Sequence, residues 1–362
     1  MINIIDFGAI ADGLTDNTLA IQNAIDKAAE KEETVFIPEG RFLTGSLKMH
    51  SHTALKGEVN WSYRKNGGST LVLNDANARC LVDITGAFGA SITSLCLEGA
   101  NLGENVHGVM LDWEEGAVRN EEDTPTFDNL RISDFSGDAV HLNHIWCFSM
   151  RHCMLGFNQG NGLYINGWDG FIMDNWFSYN KGAGVLATEN ASSLTFTGNR
   201  VEWNCLAGFR LYNPINVNIT GNCFDASGGY GLDLNNPLGK RAIGMTITGN
   251  VFHRSGMPKR MIEKPEHMSA HVCMTRVMNT VMTSNVFYYG IDDDANLDMI
   301  CPQCAIITRK LQNCTIKDNS LMNCATKQVH LDLGEHLEGV NMDIKGTVKQ
   351  DLNPYWYPFF ED

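Results

Sequence analysis

The chain repeats one short pattern, seen in Leu194-Thr-Phe-Thr-Gly-Asn199, Val217-Asn-Ile-Thr-Gly-Asn222 and Met245-Thr-Ile-Thr-Gly-Asn250. Related segments end at Asn175, Asn285 and Asn319, so the six asparagines are 24, 23, 28, 35 and 34 residues apart. A second series opens short apolar-alternating strands at intervals of 22, 24 and 23 residues, at Gly162, Gly184, Gly208 and Gly231. Self-similarity at such a period is typical of a solenoid.

Each repeat is interpreted as one coil of a β-solenoid. Alternating apolar residues indicate strands, and three short strands with their turns fit into about 22 to 24 residues at ~3.3 Å per residue. Stacked coils bury a core that no single coil could bury alone. The sequence therefore predicts an all-β, single-stranded parallel β-helix. The asparagines are expected to form a hydrogen-bonded ladder at strand-to-turn corners, since Asn tolerates the left-handed conformation and its amide can pair with the coils above and below.

The longer intervals predict loops inserted between coils, at about 235–242, 254–269 and 289–302, with an earlier acidic insertion at 113–125. We expect one domain over residues 1–362, with an N-terminal cap and first coil at 1–45, coils with loops at 46–348 and an aromatic tail at 349–362. Asp16 or Thr15 is expected to cap a helix running through Leu19 to Ala28. The tail, Tyr355 to Phe360, is predicted to pack on a neighbouring subunit.

Composition narrows the function. A net charge of −15 and an isoelectric point near 5.1 repel polyanions, which argues against nucleic acid and favours a neutral sugar over a heavily charged one. The 11 cysteines are scattered through apolar strands and are expected to be reduced thiols. No segment looks like a signal peptide or a membrane span, so the chain as given is expected to be cytoplasmic. We predict no cofactor and no bound metal.

The N-terminal segment resembles the opening of the polygalacturonase and pectate-lyase-like superfamily. The resemblance is carried by Asp6-Phe-Gly-Ala-Ile-Ala-Asp-Gly-Leu-Thr-Asp-Asn-Thr18, Ala20-Ile-Gln22 and Val35-Phe-Ile-Pro-Glu-Gly40. It implies a right-handed parallel β-helix that acts on carbohydrate. Of the polygalacturonase strand motifs, only Gly137-Asp138-Ala139 partly matches. The same segment also resembles phage tail β-helices, and the coils from Leu194 onward are similar to inulin fructotransferases, which implies a homo-oligomer of trimeric form.

Family members bind sugar on the sheet formed by the glycine-led strands, and period two assigns the outward side chains there. It predicts outward columns, of which one includes Met110, His141 and Tyr164 and another Asp112, Asn143 and Asn166. We predict substrate contacts from the residues that share this face or flank it: Arg210, Tyr164, Tyr212, Tyr230, Trp203, His141, His271 and Asn235. Arg210 should lie beside Asp233 on the next coil and keep it ionised. Aromatic and amide side chains of this kind suit stacking on sugar rings and hydrogen bonding to hydroxyls.

Three carboxylates are the catalytic candidates. Glu202 and Asp225 follow ladder asparagines by three residues and should lie on neighbouring coils, where their repulsion would raise one pKa and create an acid and a base. Asp233 is the third candidate, either in catalysis or in a structural ion pair. Glycosidic cleavage needs two carboxylates about 5 to 9.5 Å apart.

Several alternatives remain open. A second cluster, with His107 and His141 near Asp112 and Asp138, lies towards the N-terminus, and Asp292-Asp-Asp294 with Asp298 resembles a loose calcium loop. The leading hypothesis is a glycoside hydrolase or a glycan-rearranging enzyme. A polysaccharide lyase or uronate epimerase is the next, with Arg210, Lys240, Arg241 and Arg254 to neutralise a uronate carboxylate. A non-enzymatic tail protein or adhesin is the last.

Overall fold

The structure is a computed structural model, and it describes residues 1–189, 191–291 and 299–348. The chain divides into two compact units, unit 1 at Met1–Arg200 and unit 2 at Val201–Asp362. Both are built from parallel strands that pair with their counterparts one coil later, and each coil contributes to three faces. The predicted parallel β-helix is therefore confirmed.

Unit 1 has two rows of strands in its larger sheet, which we call face one and face two, and a separate sheet that we call face three. Face one contains Leu47–Lys48, Cys80–Asp83, His107–Asp112, Val185–Ala187 and the first halves of Val140–Arg151 and Leu163–Met173. Face two contains Ile2–Asn3, Thr34–Ile37, Ala54–Gly57, Ser91–Thr93, Thr126–Asp128, Thr195–Thr197 and the second halves of those two long strands. Face three contains Asp12–Asp16, Gly40–Thr44, Ser69–Leu73, Cys96–Glu98, Arg131–Ser133, Met154–Gly156 and Trp176–Ser178.

The core of unit 1 is made of aliphatic side chains aligned from coil to coil. On face one, Val82 pairs with Val109, Val109 with Val140 and Val140 with Leu163, and all four side chains are fully buried. Branched side chains at matching positions pack well on a pleated surface. Because inward and outward residues alternate, this column determines which residues of face one point to the outside.

The predicted N-terminal helix is present at Thr18–Ala29, after a short 3-10 helix at Ile4–Phe7. It buries an apolar stripe of residues three, four and seven apart: Ile21, Ala24, Ile25 and Ala28. The N-cap residue is Asn17, not Asp16 or Thr15, but Asp16 still accepts a hydrogen bond from the Thr18 N–H at 2.9 Å. The predicted capping region is thus correct to within one residue.

Unit 2 repeats the three faces. Face one contains Phe209–Leu211, Leu232–Asn235, Ala270–Met278, Cys304–Gln312 and Gln328–Asp332, with Ala242–Ile243 beside the far ends of the two long strands. Face two contains Asn218–Thr220, Thr246–Thr248, Val281–Thr283, Thr315–Lys317 and Asn341–Met342. Face three contains Arg200–Glu202, Cys223–Asp225, Val251–His253, Val286–Tyr288 and Ser320–Leu321. A small antiparallel pair joins Gly290–Ile291 to Met299–Ile300.

The asparagine ladder is confirmed in both units. In unit 1 the Asn175 amide donates to Asn199 Oδ1 at 3.1 Å, and in unit 2 donor–acceptor distances of 2.9 to 3.0 Å link Asn222, Asn250, Asn285 and Asn319. The left-handed backbone belongs to the residue before each ladder asparagine, such as Gly198, Gly221 or Gly249, with φ of 65° to 69°. The ladder asparagines therefore contribute their buried side-chain amides, and the left-handed backbone is supplied by the residue before each of them.

Three expectations are left open. The aromatic tail at 349–362 and the acidic loop at 292–298 lie outside the described residues, and the single-domain arrangement over 1–362 stays a prediction. Within the part of the chain that is described, no helix is long and apolar enough to span a membrane.

Candidate functional site

Mostly polar side chains, with the apolar Met110 among them, occupy the outward positions of face one in unit 1. Met110, His141 and Tyr164 occupy the same position on three successive coils, and two residues further along Asp112, Asn143 and Asn166 do the same. These alignments confirm the predicted outward columns. The site described below is centred on His141.

Asp138 and His141 form a hydrogen-bonded pair on this face. His141 Nδ1 lies 2.8 Å from Asp138 Oδ2, while the other oxygen, Oδ1, accepts from the Asn161 backbone N–H at 2.7 Å and from its side-chain amide at 2.8 Å. Burial alone would raise the pKa of Asp138, but the hydrogen bond from His141, the attraction of the two imidazoles when they are protonated and the hydrogen bond from the Asn161 N–H hold that pKa below its ordinary value. Asp138 is therefore an anion, and the proton in the pair belongs to His141 Nδ1.

This assignment leaves the second nitrogen of His141, Nε2, with its lone pair when the ring is neutral. A carboxylate that holds Nδ1–H fixes both the tautomer and the orientation of the imidazole. The His141 side chain is 21% exposed, so the ring is held by the protein and still reached from outside. The arrangement is that of a general base with its positioning residue.

His107 lies on the other side of the pair and is neutral. Its Nδ1 accepts a hydrogen bond from the Asp138 backbone N–H at 3.0 Å, so its proton is on Nε2. Burial lowers the pKa of His107 to about 4. The ring of His107 lies 4.3 Å from that of His141, which makes it a fixed neutral donor beside the base.

Tyr164 stacks on the opposite face of the His141 ring, with centroids 4.3 Å apart and planes 5° from parallel. Its hydroxyl oxygen accepts a hydrogen bond from Thr188 Oγ1 at 3.1 Å, so its own proton is available to another acceptor. A base and a phenol are thus held side by side on adjacent coils. Two of the predicted substrate contacts, His141 and Tyr164, are brought together.

The neighbouring column supplies hydrogen-bonding groups. Asp112 accepts from the Asn143 amide at 2.9 Å and pairs with Arg79, and Asn143 in turn accepts from Asn166 at 3.0 Å. Burial opposes the charged form of Asp112, but the Asn143 hydrogen bond and Arg79 lower its pKa overall. A cleft of about 520 Å³ adjoins His107 and is lined by Arg79, Asn77, Glu104 and Asn105 among others.

His107, Asp138 and His141 also offer ligand atoms within 4.8 Å of one another, which is close enough to hold a metal ion. The hydrogen bonds argue against this use, because His107 Nδ1 is occupied by a backbone N–H and His141 Nδ1 faces the carboxylate with a proton. For these two nitrogens to bind one cation with Asp138, the hydrogen bond from the Asp138 N–H to His107 Nδ1 would have to break, and His141 Nδ1 would have to lose its proton. The donor set fits acid–base chemistry better than metal binding.

In unit 2, Arg210 and Asp233 lie side by side on face one, as predicted. Arg210 Nε donates to Asp233 Oδ2 at 2.8 Å, and the Arg210 side chain also contacts Glu263 at 3.1 Å and the Tyr212 ring at 5.9 Å. Asp233 is 2% exposed, and this burial raises its pKa although Arg210 acts to lower it. The predicted pairing of Arg210 with Asp233 is thus confirmed, although the loss of hydration outweighs the effect of the guanidinium on the pKa of Asp233.

Asp225 also differs from its expected environment. It pairs with His253 of the next coil, and the Arg254 guanidinium donates hydrogen bonds to both carboxylate oxygens, with Nε 2.8 Å from Oδ1. Burial would raise the pKa of Asp225, but His253 and Arg254 lower it to about 2. The expectation that like-charge repulsion tunes this carboxylate is wrong for Asp225, because an arginine neutralises it.

Glu202 and Asp225 lie on face three, whereas Asp233 lies on face one. Glu202 is 4% exposed and Asp225 is 3% exposed. The structure therefore does not bring the three carboxylate candidates together on one open surface. Their catalytic roles stay predictions, and the contacts favour structural roles.

The predicted sugar platforms of unit 2 are covered by the inserted segment 254–269. Trp203 is flanked by Arg254 at 4.9 Å and Arg260 at 5.3 Å, and Asn235 donates to Glu266 at 2.7 Å. Tyr230 is 5% exposed and His271 is fully buried, which lowers the pKa of His271 to about 3. The expectation of an open face at Tyr230 and His271 is corrected, since sequence spacing located this insertion but not the direction in which it folds.

Comparison with known proteins identifies the relatives of this chain. The sequence model of the family described as rhamnogalacturonase A/epimerase, pectate lyase-like, matches residues 1–224. Mannuronan C5-epimerase AlgE2 of Azotobacter vinelandii is 27% identical over 231 residues, which cover 53% of this chain and 23% of AlgE2. The matched part thus spans about a quarter of that relative.

Solved structures give the same fold. The A-module of mannuronan C-5 epimerase AlgE4 from Azotobacter vinelandii superposes with a TM-score of 0.67 at 17% identity, covering 96% of this chain and 99% of that one. The DFA-IIIase of Arthrobacter chlorophenolicus A6 superposes with a TM-score of 0.61 at 12% identity, covering 96% and 94%. Two of the three resemblances noted in the sequence, to pectate-lyase-like proteins and to inulin fructotransferases, are thus confirmed at the level of fold.

Proposed function

Since the chain belongs to the rhamnogalacturonase A/epimerase, pectate lyase-like family, we propose that it modifies a polysaccharide by removing a proton from a hexuronate residue, with His141 as the base. The observation that carries this proposal is the Asp138–His141 hydrogen bond of 2.8 Å, beside a parallel Tyr164 ring at 4.3 Å. The substrate would lie along face one of unit 1.

The reaction follows from the protonation states of the site. His141 Nε2 takes the C5 proton, which is acidic because it is next to the carboxyl group, and the electron pair moves into that carboxyl group. Return of a proton to the opposite side of C5 gives the epimer, and we assign this proton to the Tyr164 hydroxyl, which would be reprotonated by solvent. Loss of the C4 oxygen, with protonation of the leaving group, gives a C4–C5 double bond instead. Both outcomes share the first step.

The developing negative charge on the carboxyl group needs hydrogen-bond donors. His107 is neutral with its proton on Nε2, and the amides of Asn143 and Asn166 lie on the same face. Fixed donors of this kind stabilise charge without reorganisation during the reaction. Arg79 adds a positive charge next to Asp112, with its side chain 71% exposed. The proposed substrate is therefore a uronate, whereas the net charge of the chain favoured a neutral sugar.

The named activities of the relatives support proton abstraction. Mannuronan C5-epimerases invert a uronate carbon; AlgE2 resembles this chain in sequence, and the AlgE4 A-module has the same fold. Hydrolysis by the carboxylates of unit 2 has less support, because Asp225 and Asp233 are held in buried ion pairs. Cytoplasmic location and a trimeric assembly remain proposals from the sequence.

The proposal is tested by product analysis on mannuronan, polygalacturonate and a neutral fructan, with ultraviolet absorbance for double bonds and nuclear magnetic resonance for epimers. The wild type is expected to act on a polyuronate, and His141→Gln to lose about 10²- to 10⁴-fold in turnover, the usual contribution of a general base. His152→Gln is the matched control, since His152 also pairs with an aspartate, Asp128 at 3.0 Å, but lies on another face and is exposed. Hydrolysis products that persist in His141→Gln would overturn the proposal.

A further inference from the structure

Unit 2 contains a groove rich in positive charge. It has a volume of about 620 Å³ and lies where the loop 238–241 meets the far ends of Ala270–Met278 and Cys304–Gln312. Among the residues that the structure describes, its lining includes four cationic side chains and no acidic one: Lys240, Arg241, Arg276 and Lys310. The chain as a whole is acidic, with a net charge of −15, so this groove is opposite in sign to the average of the chain.

Three of these cations occupy equivalent positions on successive coils. Ala242 pairs with Val277 and Val277 with Leu311, and the residues immediately before them are Arg241, Arg276 and Lys310. Parallel strands lie about 4.8 Å apart, so the three backbone positions form a row with one positive charge per coil. We call this row the cationic ladder. Like charges at neighbouring positions repel, so the ladder costs stability unless an anion occupies it.

The anions within the protein do not neutralise the ladder. Lys310 contacts Glu335 at 2.7 Å, but Glu335 is shared with Arg309 at 2.5 Å. Arg276 donates to the carbonyl oxygen of Asn236 at 2.6 Å, which orients the guanidinium and leaves its charge unpaired. Within the described ranges, neither Arg241 nor Arg276 forms an ion pair with a carboxylate. The groove therefore keeps a net positive charge.

The groove also has apolar walls. Leu238 is 86% exposed and Leu337 is 62% exposed, and both line it together with Ile215 at 40%. Apolar side chains suit the C–H faces of sugar rings, and a single row of cations suits a polymer that carries one negative charge per residue. A nucleic acid duplex presents two rows of phosphates to a wide surface, which this groove does not match.

We propose that the cationic ladder binds one strand of a linear anionic polysaccharide, as a site additional to the one around His141. The choice of a polysaccharide rests on the proposed function, whereas the anionic character rests on the ladder itself. The ligand would place successive carboxylates or sulfates against Arg241, Arg276 and Lys310, and its ring faces against Leu238 and Leu337.

The test is binding of size-defined polygalacturonate to the full chain by calorimetry, at several salt concentrations. Arg241→Gln and Lys310→Gln are each expected to weaken binding about threefold to fivefold and to flatten the salt dependence, as the loss of one exposed ionic contact does. Lys327→Gln is the matched control, because Lys327 is exposed in the same unit and does not line the groove. It should bind like the wild type.

Turnover is measured separately with a uronate disaccharide, which is too short to bind at the site around His141 and at the cationic ladder at the same time. The double variant Arg241→Gln/Lys310→Gln changes no residue of the proposed site around His141, so it should turn over the disaccharide normally and bind the polymer poorly. A failure of the proposed reaction is therefore distinct from a failure of the ladder. Unchanged polymer binding in the double variant would overturn the inference. Equal affinity for a neutral dextran, or tighter binding of duplex DNA than of polygalacturonate, would also count against it.

Discussion

Asp225→Asn removes one charge from a buried ion pair and leaves the shape of the side chain unchanged. In the wild type, Arg254 holds both oxygens of Asp225 and is 6% exposed itself. The substitution leaves the guanidinium buried without its carboxylate, which typically costs about 3 to 5 kcal/mol. If Asp225 is structural, as its contacts indicate, the free energy of unfolding falls by this amount while activity per folded molecule is retained.

The same ion pair also predicts how the difference in unfolding free energy between wild type and Asp225→Asn changes with pH. The pKa of Asp225 is about 2 in the folded protein, against an ordinary value of 3.8. A folded pKa below the unfolded one means that the stabilisation is complete above about pH 4 and is lost as the pH falls towards 2. The difference of about 1.8 pH units corresponds to about 2 kcal/mol. The stability gap between wild type and variant should therefore narrow by about that amount over this range.

The assay is urea unfolding followed by circular dichroism at pH 7, 4 and 2.5, with turnover measured on the folded fraction. Asp343→Asn is the control, since Asp343 is 57% exposed and its partner Lys345 is 86% exposed, so its removal should change stability by less than about 0.5 kcal/mol. A stable Asp225→Asn protein without turnover would refute the reasoning, because it would make Asp225 a catalytic carboxylate.

Three further predictions concern the core. Phe252→Ala, in the middle of a stack with ring spacings of 4.9 and 4.7 Å, should lower the free energy of unfolding by about 3 to 5 kcal/mol; a loss below 1 kcal/mol in urea titration would contradict the packing. The pKa of His271 is about 3 in the folded protein against an ordinary value of 6.5, so below pH 6.5 the unfolded protein gains a proton there that the folded protein does not, and the free energy of unfolding falls by up to about 5 kcal/mol by pH 3. In His271→Gln the free energy of unfolding should fall less steeply with pH; the same pH dependence in both proteins would exclude this role. Burial raises the pKa of Cys80 and of Cys153 to about 12, so both should resist iodoacetamide at pH 8 until the protein unfolds, and rapid alkylation seen by mass spectrometry would disprove their burial.

The repeats predicted the coils well because strand alternation and buried amides are local properties. Period two placed Met110, His141 and Tyr164 in one outward column, and Arg210 beside Asp233, as the strand registers confirm. The ladder asparagines could be predicted equally well, since the interval between two of them is the length of one coil. Register was predictable because a slip by one residue would expose the aliphatic core.

The location of the site was less predictable. The sequence favoured unit 2, where insertions are dense, but segment 254–269 packs onto its own faces through Glu263, Glu266 and Arg260. The Asp138–His141 pair was noted only as a second cluster. Asp138 precedes the strand that begins at Val140, and its hydrogen bond with His141, three residues later, is a contact that alternation along a strand does not predict.

The central claim is that His141 removes a proton from carbon, and solvent exchange tests it most directly. The polyuronate substrate is incubated in D₂O with the wild type, His141→Gln and Asp138→Asn, and deuterium at C5 is measured by nuclear magnetic resonance. The account predicts incorporation by the wild type, a loss of about 10²-fold or more in His141→Gln and a smaller loss in Asp138→Asn, which disturbs the tautomer and the orientation of the base but leaves the imidazole in place. Chain cleavage without any C5 exchange, unaffected by His141→Gln, would contradict it.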